Sequence, residues 1–162
     1  MPPVFFRLSE DVLASVSQSR RRDLELALVE LNEDALASGL DEASEEIVLA
    51  RSPQGGIRLE RGGEPLALGR RAFEDAATAY AQAMDQVSRA CATPRSAQNL
   101  QRLDEEKRRI HLRGAALVRE AVAPHHTLDD LVARRLFTVA FLVVRSAAAS
   151  RILRHASDLE VS

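Results

Sequence analysis

Between Thr127 and His155 lies a stretch that can only be accommodated inside something else. Its middle, Leu136-Phe137-Thr138-Val139-Ala140-Phe141-Leu142-Val143-Val144, is apolar on every side of a helical wheel except at Thr138. A helix of that kind is buried, either in a protein core or in a membrane. The run is about half the ~20 residues a bilayer crossing needs, and Arg134, Arg135 and Arg145 bracket it, so the core reading is the expectation. Thr127 is the expected N-cap, with Asp130 in the capping-box position. Arg151, Arg154 and His155 stand toward the other end, where the helix dipole favours cations.

The elements that must wrap this helix are read from periodicity. Val4 to Leu8 is a short strand candidate, and Ser9 to Ser19 suits helix and loop alike. Arg20 to Ser38 reads as a helix through Leu24, Leu28, Leu31 and Ala35, with Gly39 at the C′ position. Asp41 to Glu46 is expected to be a solvated connector. Ile47-Val48-Leu49 and Ile57-Arg58-Leu59 are strands joined by Ser52-Pro53-Gln54-Gly55-Gly56, whose Pro and Gly stand at the second and fourth places of a type I turn. Gly62-Gly63 is a second turn, before a third strand candidate at Pro65-Leu66-Ala67-Leu68. No lysine follows the glycines and no helix opens on them, so hairpin turns are preferred to a phosphate loop.

Three helices follow. Phe73, Ala76, Ala77, Tyr80, Ala83, Met84, Val87 and Cys91 mark the packed face of the first, which Thr93-Pro94 stops. The second is expected from an N-cap at Ser96 to about Val122, carried by Leu100, Leu103, Ile110, Leu117 and Ala121. Lys107 and Gly114 lie on the same seam, and a helical glycine there is expected to let another backbone pack closely. Asp104–Arg108 and Glu105–Arg109 are acid-first pairs at i,i+4. The apolar helix is the third. The fold expected is α+β: a small antiparallel sheet with one helix over 1–70, a three-helix bundle over 71–155 around the buried helix, and a disordered tail over 156–162, all in one domain.

Charge and chemistry narrow the function less than the fold. A formal net charge of -2, few aromatics and the short basic run Arg20-Arg21-Arg22 argue against nucleic acid as a partner. Lys107 is the only lysine, which points to an arginine-rich codon bias. One cysteine, Cys91, excludes an intramolecular disulfide, and on the packed face it would be a small buried hydrophobe. The N-terminus lacks the signature of a signal peptide, so a cytoplasmic location is expected. His111, His125, His126 and His155 show no pair at metal-binding spacing, and His125-His126 beside Pro124 are expected to be exposed. No nucleophile elbow occurs, and no catalytic residue, metal or cofactor is assigned.

The one constellation with binding potential is His111 with Arg108, Arg134 and Arg135. If the last two helices pack antiparallel across Pro124, His111 comes within about one turn of the two arginines. Glu105, Glu106 or Glu120 would neutralise them as an internal ion pair. Without such partners, the cluster is an anion or acidic-partner pocket.

Three blocks carry a resemblance. Ala133-Arg134-Arg135-Leu136-Phe137-Thr138 after Asp129-Asp130, Arg108-Arg109-Ile110-His111-Leu112-Arg113-Gly114, and Gly63-Glu64-Pro65-Leu66 resemble, in order and spacing, Uncharacterised Protein Family 0262. The resemblance covers roughly Gly63 to Arg145 of this bacterial family, which has no assigned activity. Leu112-Arg113 replace the family's polar Asn-Glu, and Val143-Val144 its His-Trp pair, while the tail from Ser146 is an extension. The resemblance implies a shared fold and no chemistry. The leading expectation is therefore a non-enzymatic cytoplasmic interaction or regulatory protein with an unidentified protein partner and no membrane. The alternative is a small-anion or nucleotide-phosphate binder, with or without enzymatic activity, centred on the Arg-His cluster. Lys107 on a packed seam adds the expectation of a homodimer, unless its stem lies flat on the surface.

Overall fold

The computed structural model describes residues 4–36, 45–92 and 97–160, with side chains described as far as Ser146. In chain order the elements are β1 (Val4–Leu8), α1 (Glu10–Ala14), α2 (Gln18–Ala35), β2 (Glu45–Arg51), β3 (Ile57–Arg61), β4 (Glu64–Pro65), α3 (Arg70–Ala92), α4 (Ala97–Val122) and α5 (Asp130–Glu160). The architecture is α+β, a sheet in the first part of the chain and three long helices in the second.

The sheet runs in the order β1-β2-β3-β4 and is mixed. β2, β3 and β4 are antiparallel neighbours, but β1 joins β2 in parallel, with Phe6 opposite Ile47 and Leu8 opposite Leu49. The expectation of a purely antiparallel sheet is corrected here. A parallel neighbour needs a long crossover, and the segment after β1 supplies one in α1 and α2. Ser9 and Ser17 cap those helices, accepting from the backbone N–H of Val12 and Arg20, both at 3.4 Å.

Both turns follow their glycines. Gly55 N–H donates to the Ser52 carbonyl at 3.0 Å, closing the first turn. Gly62 and Gly63 both have positive φ, 59° and 82°, which suits a two-residue hairpin with the right-handed strand twist. β4 is only Glu64–Pro65, and Leu66 adds one hydrogen bond to Leu59 at 2.7 Å, so Ala67 and Leu68 are not in the sheet. Glu45 and Glu46 belong to β2 rather than to an acidic connector. The segment 41–44, Gly39, Thr93-Pro94 and the Ser96 cap lie outside the described residues.

α5 is the hub. Leu136, Phe137, Val139, Ala140 and Val143 are fully buried, with Phe141 almost so. α2 and α4 pack on it, α3 packs on α4, and the apolar face of the sheet closes the core through Phe6, Ile47, Leu49 and Leu59. α4 and α5 are antiparallel, since contacts step backward along α5 as they step forward along α4: Gly114 meets Phe137, and Arg119 pairs with Asp130. The helix starts two residues later than expected. Asp129 is its cap, accepting from Val132 N–H at 2.8 Å, because its carboxylate reaches the open N–H groups that Thr127 would leave unmet. The backbone continues as helix to Glu160, where a tail was expected from residue 156. No helix among the described residues is long and apolar enough to cross a membrane.

Candidate functional site

The four residues singled out in the sequence separate into three environments. His111 projects from α4 into the seam with α5, half-buried, and its Nε2 lies 2.9 Å from Thr138 Oγ1. The Thr138 hydroxyl donates to the Arg134 carbonyl at 3.0 Å, one turn back along α5. Its single proton being used there, Oγ1 accepts from His111, which assigns the Nε2–H tautomer and leaves Nδ1 with its lone pair. Tyr80 of α3 stacks on the imidazole at 5.1 Å between centroids, and Phe137 tilts against it at 5.5 Å.

Burial, the Arg134 guanidinium and the Lys107 ammonium push the His111 pKa below its usual 6.5. The ring is therefore neutral at physiological pH, held among cations by its contact with Thr138. Burial also raises the Tyr80 phenol above its usual range, so it stays protonated. Arg134 donates from Nε to the Asp130 carbonyl at 3.4 Å. His111 and Arg134 are thus brought together as the antiparallel geometry required.

Arg135 faces elsewhere. It pairs with Glu30 at 3.0 Å and with Asp34, both on α2, rather than with Glu105, Glu106 or Glu120. The correction has a geometric cause: consecutive residues on a helix point about 100° apart, so Arg134 and Arg135 cannot serve one pocket. Arg108 is exposed and lies 3.6 Å from Asp104, the expected pair. Arg109 instead pairs with Glu106. Lys107 is half-buried, with its ammonium 3.6 Å from Asp104 on the same helix. Cys91 is exposed, contrary to the packed-face expectation, because the apolar stripe of α3 loses its cover toward the helix end.

A second polar cluster was not legible in the sequence. His126, expected to be exposed, is 3% exposed, and its Nε2 lies 2.5 Å from Glu45 Oε2. The same carboxylate receives Arg61 in a fork, Nε at 2.9 Å and Nη2 at 2.7 Å. The Arg61 fork, helped by His126 and opposed by desolvation, lowers the Glu45 pKa from 4.5 to about 2. The α4–α5 connector is thereby latched to adjacent ends of β2 and β3. The available signal was Arg61 itself, which shares its strand face with Ile57 and Leu59 and so needs an inward partner. Nothing local names Glu45 or His126, which are 81 residues apart.

Among the described residues no group of three or more His, Cys, Asp or Glu side chains is placed to hold a metal ion. The polar clusters can exchange protons at His111 and carry charge, but each is tied to neighbouring elements by hydrogen bonds or ion pairs. No family model matches the chain, and neither does any curated protein or any solved structure.

Proposed function

We propose that this chain is a non-enzymatic protein-interaction domain working in the cytoplasm, and that α2 presents its docking face. One observation carries the reading: Leu26 and Val29 of α2 are 61% and 52% exposed, although other leucines of the same helix are buried in the core. Val29 also lines a shallow groove between α2 and β1, with Phe5, Leu28 and Leu36. Exposed apolar surface next to a groove, rimmed by charge, is the usual mark of a protein contact. The edge of β1 is not the docking element. Asn32 occupies it, accepting from Phe6 N–H at 2.8 Å and donating to the Phe6 carbonyl at 2.9 Å. An exposed Cys91 thiol suits a reducing compartment, and kinship with Uncharacterised Protein Family 0262 would rest on the three blocks quoted above.

The test is a photo-crosslinking residue at Leu26 of the full chain in cells, with a second at exposed Ala116 on α4 as control. A discrete adduct at Leu26 and none at Ala116 supports the reading. Absence of any adduct at Leu26 overturns it.

A second reading, the small-anion site, keeps one specific support: the charges of Arg134 and Lys107 both act on the His111 ring. It narrows to His111, Arg134 and Lys107, without Arg108 or Arg135. Sulfate or phosphate should then raise the melting temperature more than chloride at matched ionic strength, increasingly so as pH falls below 6.5, and Arg134→Met should remove the gain. Equal melting temperatures in the three salts would end this reading.

A further inference from the structure

We infer that the occupant of the α2 face is α2 of a second copy of this chain, docked antiparallel about a two-fold axis. The inference rests on the interaction reading above and names its partner. Arg22, Leu26, Val29 and Glu33 recur at spacings of four, three and four, so they form one stripe along the helix. All four are exposed, with a cation at one end, an anion at the other and two apolar side chains between.

The order of these residues has a symmetry that matters. Leu26 and Val29 are equidistant from the level between Ala27 and Leu28, and so are Arg22 and Glu33. A two-fold axis at that level puts Leu26 against Val29 of the partner subunit and Arg22 against Glu33 of the partner subunit, and each contact is repeated by symmetry. The outer pair is separated by roughly 16 Å along the helix, so both ends close on the same partner helix. A parallel arrangement would instead bring like charges together.

The neighbouring charges do not compete for these partners. Glu25 is held by Arg21 at 2.9 Å and Glu30 by Arg135 at 3.0 Å. Arg22 and Glu33 make no ion pair with another described residue. The groove along the Asn32 flank of the stripe, with Phe5 and Leu36, gives the partner's apolar side chains somewhere to enter. With two small apolar contacts and two rim ion pairs, the dimer is weak, its dissociation constant on the order of micromolar, and salt weakens it further.

The experiment is sedimentation of the full chain between about 1 and 200 μM, with two exposed charge reversals. The wild-type chain should pass from monomer to dimer in that range. Arg22→Glu alone and Glu33→Arg alone should each associate at least roughly tenfold more weakly, since each sets like charges at both ends. Mixing the two variants should restore association, because in the mixed dimer opposite charges meet again at both ends. Two chains that had merely lost their fold could not rescue each other. A wild-type chain that stays monomeric throughout, or two variants that fail to rescue one another, would overturn the antiparallel dimer. A Leu26 adduct with a different protein would overturn it too while leaving the interaction reading intact, whereas an adduct of twice the chain mass supports both.

Discussion

Gly114→Ala pits helix propensity against packing, and the structure decides which prevails. In a solvated helix this change stabilises by about 1 kcal/mol, because alanine loses less backbone freedom. At position 114, however, a Cβ would stand 2.3 to 2.5 Å from three atoms of the Phe137 ring. The neighbour is thus an aromatic ring and not the closely approaching backbone that a helical glycine first suggests. Ordinary contact begins near 3.4 Å, so the ring must retreat by about an ångström. It has little room, being fully buried with Phe73 and Tyr80 both at 5.7 Å and Phe141 at 6.4 Å. Overpacking of a well-filled core costs about 1–3 kcal/mol, and a blocked aromatic belongs at the upper end. The net expectation is a loss of about 2 kcal/mol, or about 4–8 °C in melting temperature for a chain of this size. Urea unfolding followed by far-ultraviolet circular dichroism should show a lower midpoint at unchanged slope. Phe137→Leu should be destabilising alone but should absorb much of the Gly114→Ala cost in the double variant, giving a clear coupling energy. A Gly114→Ala protein as stable as the parent, or more stable, would refute the reasoning.

Val139→Asp buries an unpaired carboxylate in the fully enclosed centre of α5 and should cost several kcal/mol; a soluble variant with a cooperative melt near the parent's would show that this helix is not central. Acid should destabilise the protein in two stages. His111 is depressed below 6.5, so the stability its neutral form contributes is present above that pH and is lost as pH falls below it. Glu45 is depressed from 4.5 to about 2, so its contribution is present above 4.5 and lost between 4.5 and 2. Glu45→Gln should flatten the lower stage of a stability–pH curve while leaving the upper one, and an unchanged lower stage would count against the latch. Finally, Arg135→Met made together with Glu30→Gln and Asp34→Asn should be neutral to within about 1 kcal/mol by thermal melting, whereas Arg135→Met alone should cost more; a costly triple variant would mean that the ion pairs are a principal source of stability.

What could be read directly from the sequence was what neighbouring residues decide among themselves. The all-round apolar run in α5 had to be buried, the α3 stripe had to face a core, and the Pro-Gly and Gly-Gly segments had to turn. Gly114 called for a close neighbour on the α4 seam, but in place of the expected backbone stands the Phe137 ring. The antiparallel approach of His111 to Arg134 also followed, because a short connector leaves two consecutive helices few other ways to pack. Tertiary structure alone decided which element meets which across long intervals of chain. Arg135 finds its acids 105 and 101 residues earlier on α2, and His126 meets the carboxylate at the start of β2. The parallel pairing of β1, the exposure of Cys91 and the exposed stripe of α2 belong to the same class. Periodicity fixes the faces of a helix but not which of them will be covered. Leu26 and Leu24 have the same side chain, and only the packing of α5 and β1 against α2 leaves one in the core and the other at the surface.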